Sequence, residues 1–309
     1  MGVTDTGRTQ EVKQFDESKL GVKGLVNSGL TSIPPLFIHP PETLSDLGPA
    51  RPSSDSIPTI DLSGCDSGHR PSVVEEVGCA ARGLGFFQVV NHGVPPEVLD
   101  RTIAAVKALH EQPAEVKARI YRREMETGVA FFSNLDLFHS KAARWRLEPK
   151  GHMKEIPEVC RNEVMEWDQQ VRQLGGLLMG LLSEGLGLSP GKLPELTCLE
   201  TRAMVCGLQV KHGNEWVDVT PVPGALVTMS NDEYKSMDHR VLVNPNQEPC
   251  VSVAVFCNLS NRENEFGPFP EIISLDKPAA FWQFNLNEYM RRFFTKELEG
   301  KSLINYFRA

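Results

Sequence analysis

Residues 207–227 read GLQVKHGNEWVDVTPVPGALV, and the period of this stretch decides the fold. Residues 208–210, 216–219 and 225–227 are short runs rich in β-branched, aromatic and leucine side chains, set apart by turn signals at His212-Gly213-Asn214 and at residues 221–224. The same alternation continues downstream. Residues 241–243 and 251–257 are further β-rich runs, divided by the turn-forming stretch 244–249. In the last run the valines at 251, 253 and 255 share one face, so Cys250, Ser252, Ala254 and Phe256 share the other. Strands of this length at this spacing predict an antiparallel sandwich or jelly roll.

Upstream the period changes to that of a helix. Across residues 158–184, Cys160, Val164, Trp167, Val171, Leu174, Leu178 and Leu181 repeat at alternating steps of four and three, with Gly185 and Gly187 as terminators. The run is too short, and too irregular in its flanking charges, for a coiled-coil seam. Further back, the strand-like run 57–62, a helix from Ser72 and the strand 86–90 predict a β-α-β opening. Pro95-Pro96 then starts a helix with Leu99, Ile103, Val106 and Leu109 on one face. At the far end, Asn285 and Glu288 form a capping box for a last helix that Gly300 should stop. Residues 43–58 are rich in Pro, Ser and Gly and read as a linker, so order is expected from about Ile57. The expected organisation is an N-terminal extension and linker over 1–56, a helical and β region over 57–198, and a β-rich region with its C-terminal helix over 199–309.

The chain has 309 residues and a net charge of −8, with 40% hydrophobic and 23% charged residues. An acidic balance argues against nucleic acid or an anionic membrane as the main partner and leaves a small-molecule or protein partner as the better expectation. No apolar run approaches a membrane span, and the charged opening stretch is no secretory signal. Seven cysteines without a C-x-x-C pair indicate neither a disulfide framework nor a structural zinc site, so a cytoplasmic monomer with reduced thiols is expected.

Several stretches carry a more specific signal: FDESKLGVKGLVNSGLTSIPPLFIHPPE (15–42), IPTIDLS (57–63), GFFQVVNHGVP (85–95), PEVCRNEVMEWDQQV (157–171), the opening block at 207–227, and SMDHRVLVNP (236–245). Together they resemble the plant 2-oxoglutarate/Fe(II)-dependent dioxygenases, in the subgroup of 1-aminocyclopropane-1-carboxylate oxidase homologues with its benzoxazinoid-type and alkaloid hydroxylases. The resemblance implies an α+β fold, a distorted double-stranded β-helix (jelly roll) supported by an N-terminal α/β helical region. It implies hydroxylation or demethylation of a small plant secondary metabolite, with Fe(II), 2-oxoglutarate and ascorbate as cofactor, co-substrate and reductant. In the family, two histidines and one carboxylate hold the iron on one face, and an Arg and a Ser of an R-x-S motif hold the oxoacid.

Carried over by position, His239 matches the second histidine ligand and Ser252 the serine of R-x-S. The rest of the site does not transfer. None of the eight histidines is followed two residues on by a carboxylate, so H-x-D is absent, and Cys250 stands where the oxoacid-binding Arg is expected. Met204-Val205-Cys206 runs straight into Gly207, where relatives carry a tyrosine-proline segment and H-x-D. A second segment is lost between Val227 and Met229 and a shorter one after Arg146, so the jelly roll is expected to be incomplete. Asp238 and Arg240 flank His239 and face the other side of a regular strand, and His212 falls in a predicted turn, so none is placed to replace the missing ligands. The alternatives are therefore an impaired dioxygenase, a non-catalytic binding or regulatory protein, and a splice or gene-model fragment.

Overall fold

The computed structural model describes residues 4–19, 24, 27–29, 32, 34–38, 57–121, 129–132, 146–149, 156–204, 208–212, 215–219, 226–229, 239–241, 252–259, 265–276, 278–295 and 306–309, parts of several strands and of the last helix by backbone alone. The predicted β-α-β opening is present. Strand β1 (Thr59–Asp61) leads through a helix to β2 (Phe86–Val90), and the two pair in parallel, Ile60 opposite Val89. The intervening helix, α2 (Arg70–Gly83), follows an N-terminal α1 (Thr4–Ser18). Next come α3 (Pro96–Glu111), opened by Pro95 and Pro96 as expected, the short α4 (Ala114–Ala118), β3 (Val129–Phe132) and β4 (Arg146–Pro149).

The long amphipathic run forms α5 (Arg161–Gly185), and its predicted stripe is buried: Val164, Trp167, Val171, Leu174, Leu178 and Leu181 are each at most 8% exposed. From Trp167 onward the stripe packs on Val73, Val77 and Ala81 of α2 and on Phe87 and Val89 of β2, forming the largest core cluster, while Val164 joins Ala105, Val106 and Leu109 of α3. The end of α5 is tied to α2 by two arginines. Arg70 grips Glu184 with Nη2–Oε1 at 2.6 Å and gives a second N–H to the Cys65 carbonyl, while Arg82 donates to the Gly185 carbonyl, one of the acceptors a helix C-terminus leaves unpaired.

After the short α6 (Lys192–Leu196) come β5 (Thr197–Met204), β6 (Leu208–His212), β7 (Glu215–Asp218), β8 (Leu226–Met229), β9 (His239–Val241) and β10 (Ser252–Leu259). They make up three sheets in the orders β1-β2-β8, β10-β5-β4-β3 and β7-β6-β9. Every pairing is antiparallel except β1 with β2. The β-rich half expected from the sequence is therefore real, with strand bounds moved by at most two residues. Half-buried Val253 and Val255 of β10 rest on the helical core, which joins the sheets to the helices. Two very short strands, β11 (Glu265–Phe266) and β12 (Phe284–Asn285), precede α7 (Leu286–Thr295).

Three differences from the sequence reading have physical causes. Order begins before Ile57: α1 buries Val12 and Phe15 against Leu36 and Phe37, and Tyr121 donates a hydrogen bond to Asp16. Only those two apolar side chains of α1 are buried, and their partners lie some twenty residues on, so no local period announced the helix. Second, α3 buries Val98, Thr102, Ala105, Val106, Leu109 and His110, a face that includes two polar residues. Third, His212 ends β6 opposite Glu215 instead of lying in the turn, because the β6-β7 pairing runs on as far as these two residues. The linker residues 43–56 and Gly300 lie outside the described residues. No helix among the described residues is long and apolar enough to cross a membrane.

One half of the predicted capping box is formed: Asn285 Oδ1 accepts from the Glu288 N–H at 2.8 Å, while the Glu288 carboxylate turns to Arg292 at 3.2 Å, one helical turn on. Asn285→Ala is expected to lower the unfolding free energy by about 1 kcal/mol, measured by urea denaturation with an unchanged m-value.

Candidate metal and oxoacid site

His239 opens β9, where it stands opposite Val210 of β6, with Arg240 opposite Gln209 and Val241 opposite Leu208. Neighbours along a strand alternate faces, so position 240 belongs to the opposite face of β9 from position 239. The His239 side chain is exposed, and its ring stands edge-on to Phe86 of β2 with centroids 6.0 Å apart. Phe86, only 1% exposed, is the residue that sequence reasoning missed here. With Ile57, Val210 and Val217 it forms a second cluster that fastens the β7-β6-β9 sheet to the body.

Ser252 begins β10 and pairs in register with Met204 of β5. His239 and Ser252 thus fall on different sheets, and each belongs to the terminal strand of its sheet among the described residues. Cys250 and Asp238 lie outside the described residues.

The other histidines whose side chains are described have structural settings. His69 stands in a turn with the Ser67 hydroxyl 3.3 Å from its Nδ1. His92 Nδ1 accepts from the Val94 N–H at 3.2 Å, closing the loop after β2. That loop is further pinned by Asp61, whose carboxylate accepts from Asn91 Nδ2 and the Ser63 N–H, each at 2.8 Å, bonds that hold its pKa below the ordinary carboxylate value. His110 is buried beside Lys117, and burial foremost, then the lysine charge, lowers its pKa to about 3. Among the residues whose side chains are described, no three His, Cys, Asp or Glu come together in a way that could hold a metal ion. The family's three-ligand set does not fit this chain, because no histidine in the sequence is followed two residues on by a carboxylate and an H-x-D pair is not encoded.

Residues 186–259 match the family model of the 2OG-Fe(II) oxygenase superfamily, and residues 57–156 match that of the non-haem dioxygenase in morphine synthesis N-terminal region. The chain is 37% identical over 353 residues to 1-aminocyclopropane-1-carboxylate oxidase homolog 4 of Arabidopsis thaliana, covering 97% of this chain and 99% of that protein. The chain belongs to the 2OG-Fe(II) oxygenase superfamily. Deacetoxyvindoline 4-hydroxylase of Catharanthus roseus is 33% identical over 357 residues, covering 97% and 89% of the two chains. The crystal structure of JOX2 in complex with 2OG, Fe and JA superposes with a TM-score of 0.73 at 25% identity, over 94% of this chain and 97% of that one. A rice dioxygenase for auxin oxidation gives 0.65 at 22% identity over 82% and 100%, a likeness of fold. The α+β jelly-roll architecture expected from the sequence is thus the fold of this family member.

Proposed function

We propose that this chain derives from a 2-oxoglutarate/Fe(II)-dependent dioxygenase that hydroxylates or demethylates a small plant secondary metabolite, and that the chain itself is impaired in that reaction. The substrate class is supported by relatives such as deacetoxyvindoline 4-hydroxylase. When bound in this family, Fe(II) and 2-oxoglutarate supply oxidative decarboxylation of the oxoacid, which powers attack on the substrate. The observation that carries the impairment is the absence of H-x-D from the whole sequence, which leaves His239 as the only matched ligand. A lone imidazole does not chelate, and Cys250 in place of Arg removes a charge-assisted pair of about 1.5–3 kcal/mol, some ten- to a hundredfold in oxoacid affinity.

The comparison favours lost segments over a drifted site. The 353 aligned positions take in 97% of a 309-residue chain, about 300 residues, so about 50 positions of the alignment have no residue here. That pattern suits a splice or gene-model product, and a non-catalytic binding role is the remaining reading. The test is succinate release from 2-oxoglutarate by the purified chain with Fe(II) and ascorbate in air. Release at the no-protein rate is expected, and oxoacid-dependent turnover would overturn the impairment. Genomic DNA across the Cys206/Gly207 junction separates the two origins: an open frame encoding H-x-D there identifies a shortened product.

A further inference from the structure

The loop after β2 is held in a conformation that most side chains avoid. Asn91 takes φ +50° and Gly93 φ +80°, so left-handed residues flank His92 on both sides. The Asp61 carboxylate pins Asn91, and the Val94 N–H pins the His92 ring through Nδ1. Backbone of this kind persists where the surroundings over-determine it, and it collects at ligand sites.

Across from the loop, Gln170, Gln173, Leu174 and Leu177 of α5 follow at steps of three, one and three and so share one helical face. Between that face and the loop lies a half-open cavity of about 140 Å³. Its floor is firm: Val94 and Leu174 are each 6% exposed and belong to the largest core cluster, and half-buried Leu177 packs on it. The His92 imidazole and the two Gln carboxamides supply its polar groups, and among the described residues no charged side chain lines it. The cavity opens at the far end of β2 from Phe86, the residue that meets His239, about 13 Å along the strand.

We propose that this cavity binds a neutral, flat, single-ring molecule that carries a carboxamide or lactam edge. The size sets the ring, since an apolar cavity of about 150 Å³ holds one benzene. The glutamines set the edge. Each carboxamide offers a coplanar N–H donor and C=O acceptor, which an amide edge answers with an acceptor and a donor in one plane. Val94, Leu174 and Leu177 give the ring face an apolar seat. A charged substituent would lose hydration with no countercharge in the lining. The proposal goes beyond the oxygenase reading and involves neither iron nor oxoacid.

The test is benzamide binding to the full chain, followed by saturation-transfer NMR and calorimetry, with benzoate as the charged isostere. Saturable binding of one benzamide per chain is expected in the millimolar range, with benzoate at least about tenfold weaker. The double variant Gln170→Leu/Gln173→Leu should weaken benzamide at least about tenfold, since it removes the hydrogen bonds and keeps the apolar contact. Leu177→Trp fills the cavity from its rim and should abolish binding. An unchanged melting temperature in each variant shows that the fold is kept. Non-saturable uptake, equal affinity for benzoate, or binding that survives either variant would overturn the site. Succinate release is a separate readout and bears on the oxygenase reading alone.

Discussion

Between pH 6.5 and pH 3 the folded chain is expected to lose stability continuously, by about 3–5 kcal/mol in total, and His110 is the source. His110 is 7% exposed, and burial, with the Lys117 charge second, lowers its pKa from 6.5 to about 3. Its ring stays neutral when folded. The unfolded chain takes up a proton at its ordinary pKa, so the stability it contributes is complete above pH 6.5 and drains away as pH falls toward 3. A domain of this size holds about 5–15 kcal/mol in all, so the loss brings the chain near unfolding before most carboxylates titrate. Lys117 sharpens the effect. It is 4% exposed, and its Nζ donates to the His110 carbonyl at 3.0 Å, which fixes a positive charge beside the ring. Urea unfolding at a series of pH values measures the slope. His110→Leu keeps the apolar packing and should flatten the curve over this window, whereas a slope unchanged in that variant would assign the acid sensitivity to other groups.

How far the molecule was legible in its sequence depended on whether burial follows a period. The stripe from Val164 to Leu181 and the β1-α2-β2 unit were readable because each apolar side chain sits at the spacing its element demands. His110, Thr102 and Lys117 were not, since a polar residue is buried only where a distant partner accepts it, and that partner is set by tertiary packing. For the candidate site, the absence of H-x-D was explicit in the sequence, while His239 was singled out only by its match to the family motif. The place of His212 at the end of β6 was hidden by reading His212-Gly213-Asn214 as one turn. The signal that could have found it is the Gly-Asn pair itself, which suits a two-residue loop and makes its flanking residues a closing pair.

Phe86→Ala and Phe87→Ala are expected to cost about 3–5 kcal/mol each, yet to loosen different parts of the molecule. The residues are adjacent on β2 and 1% and 0% exposed, and pleating sends them to opposite faces. Phe87 joins the core of α2 and α5, while Phe86 joins Ile57, Val210 and Val217 under the β7-β6-β9 sheet. Phe86 therefore links the body both to β6 and β7 and, through its ring, to His239 of β9. Hydrogen exchange of the native protein separates the outcomes. In Phe86→Ala the amides of β6 and β7 should exchange faster while those of α5 keep most of their protection, because the smaller cluster opens as a local unit. In Phe87→Ala, protection should fall in α2 and α5 together, since that cluster spans both helices. Equal loss across all elements in both variants would mean that the two clusters open as one cooperative unit.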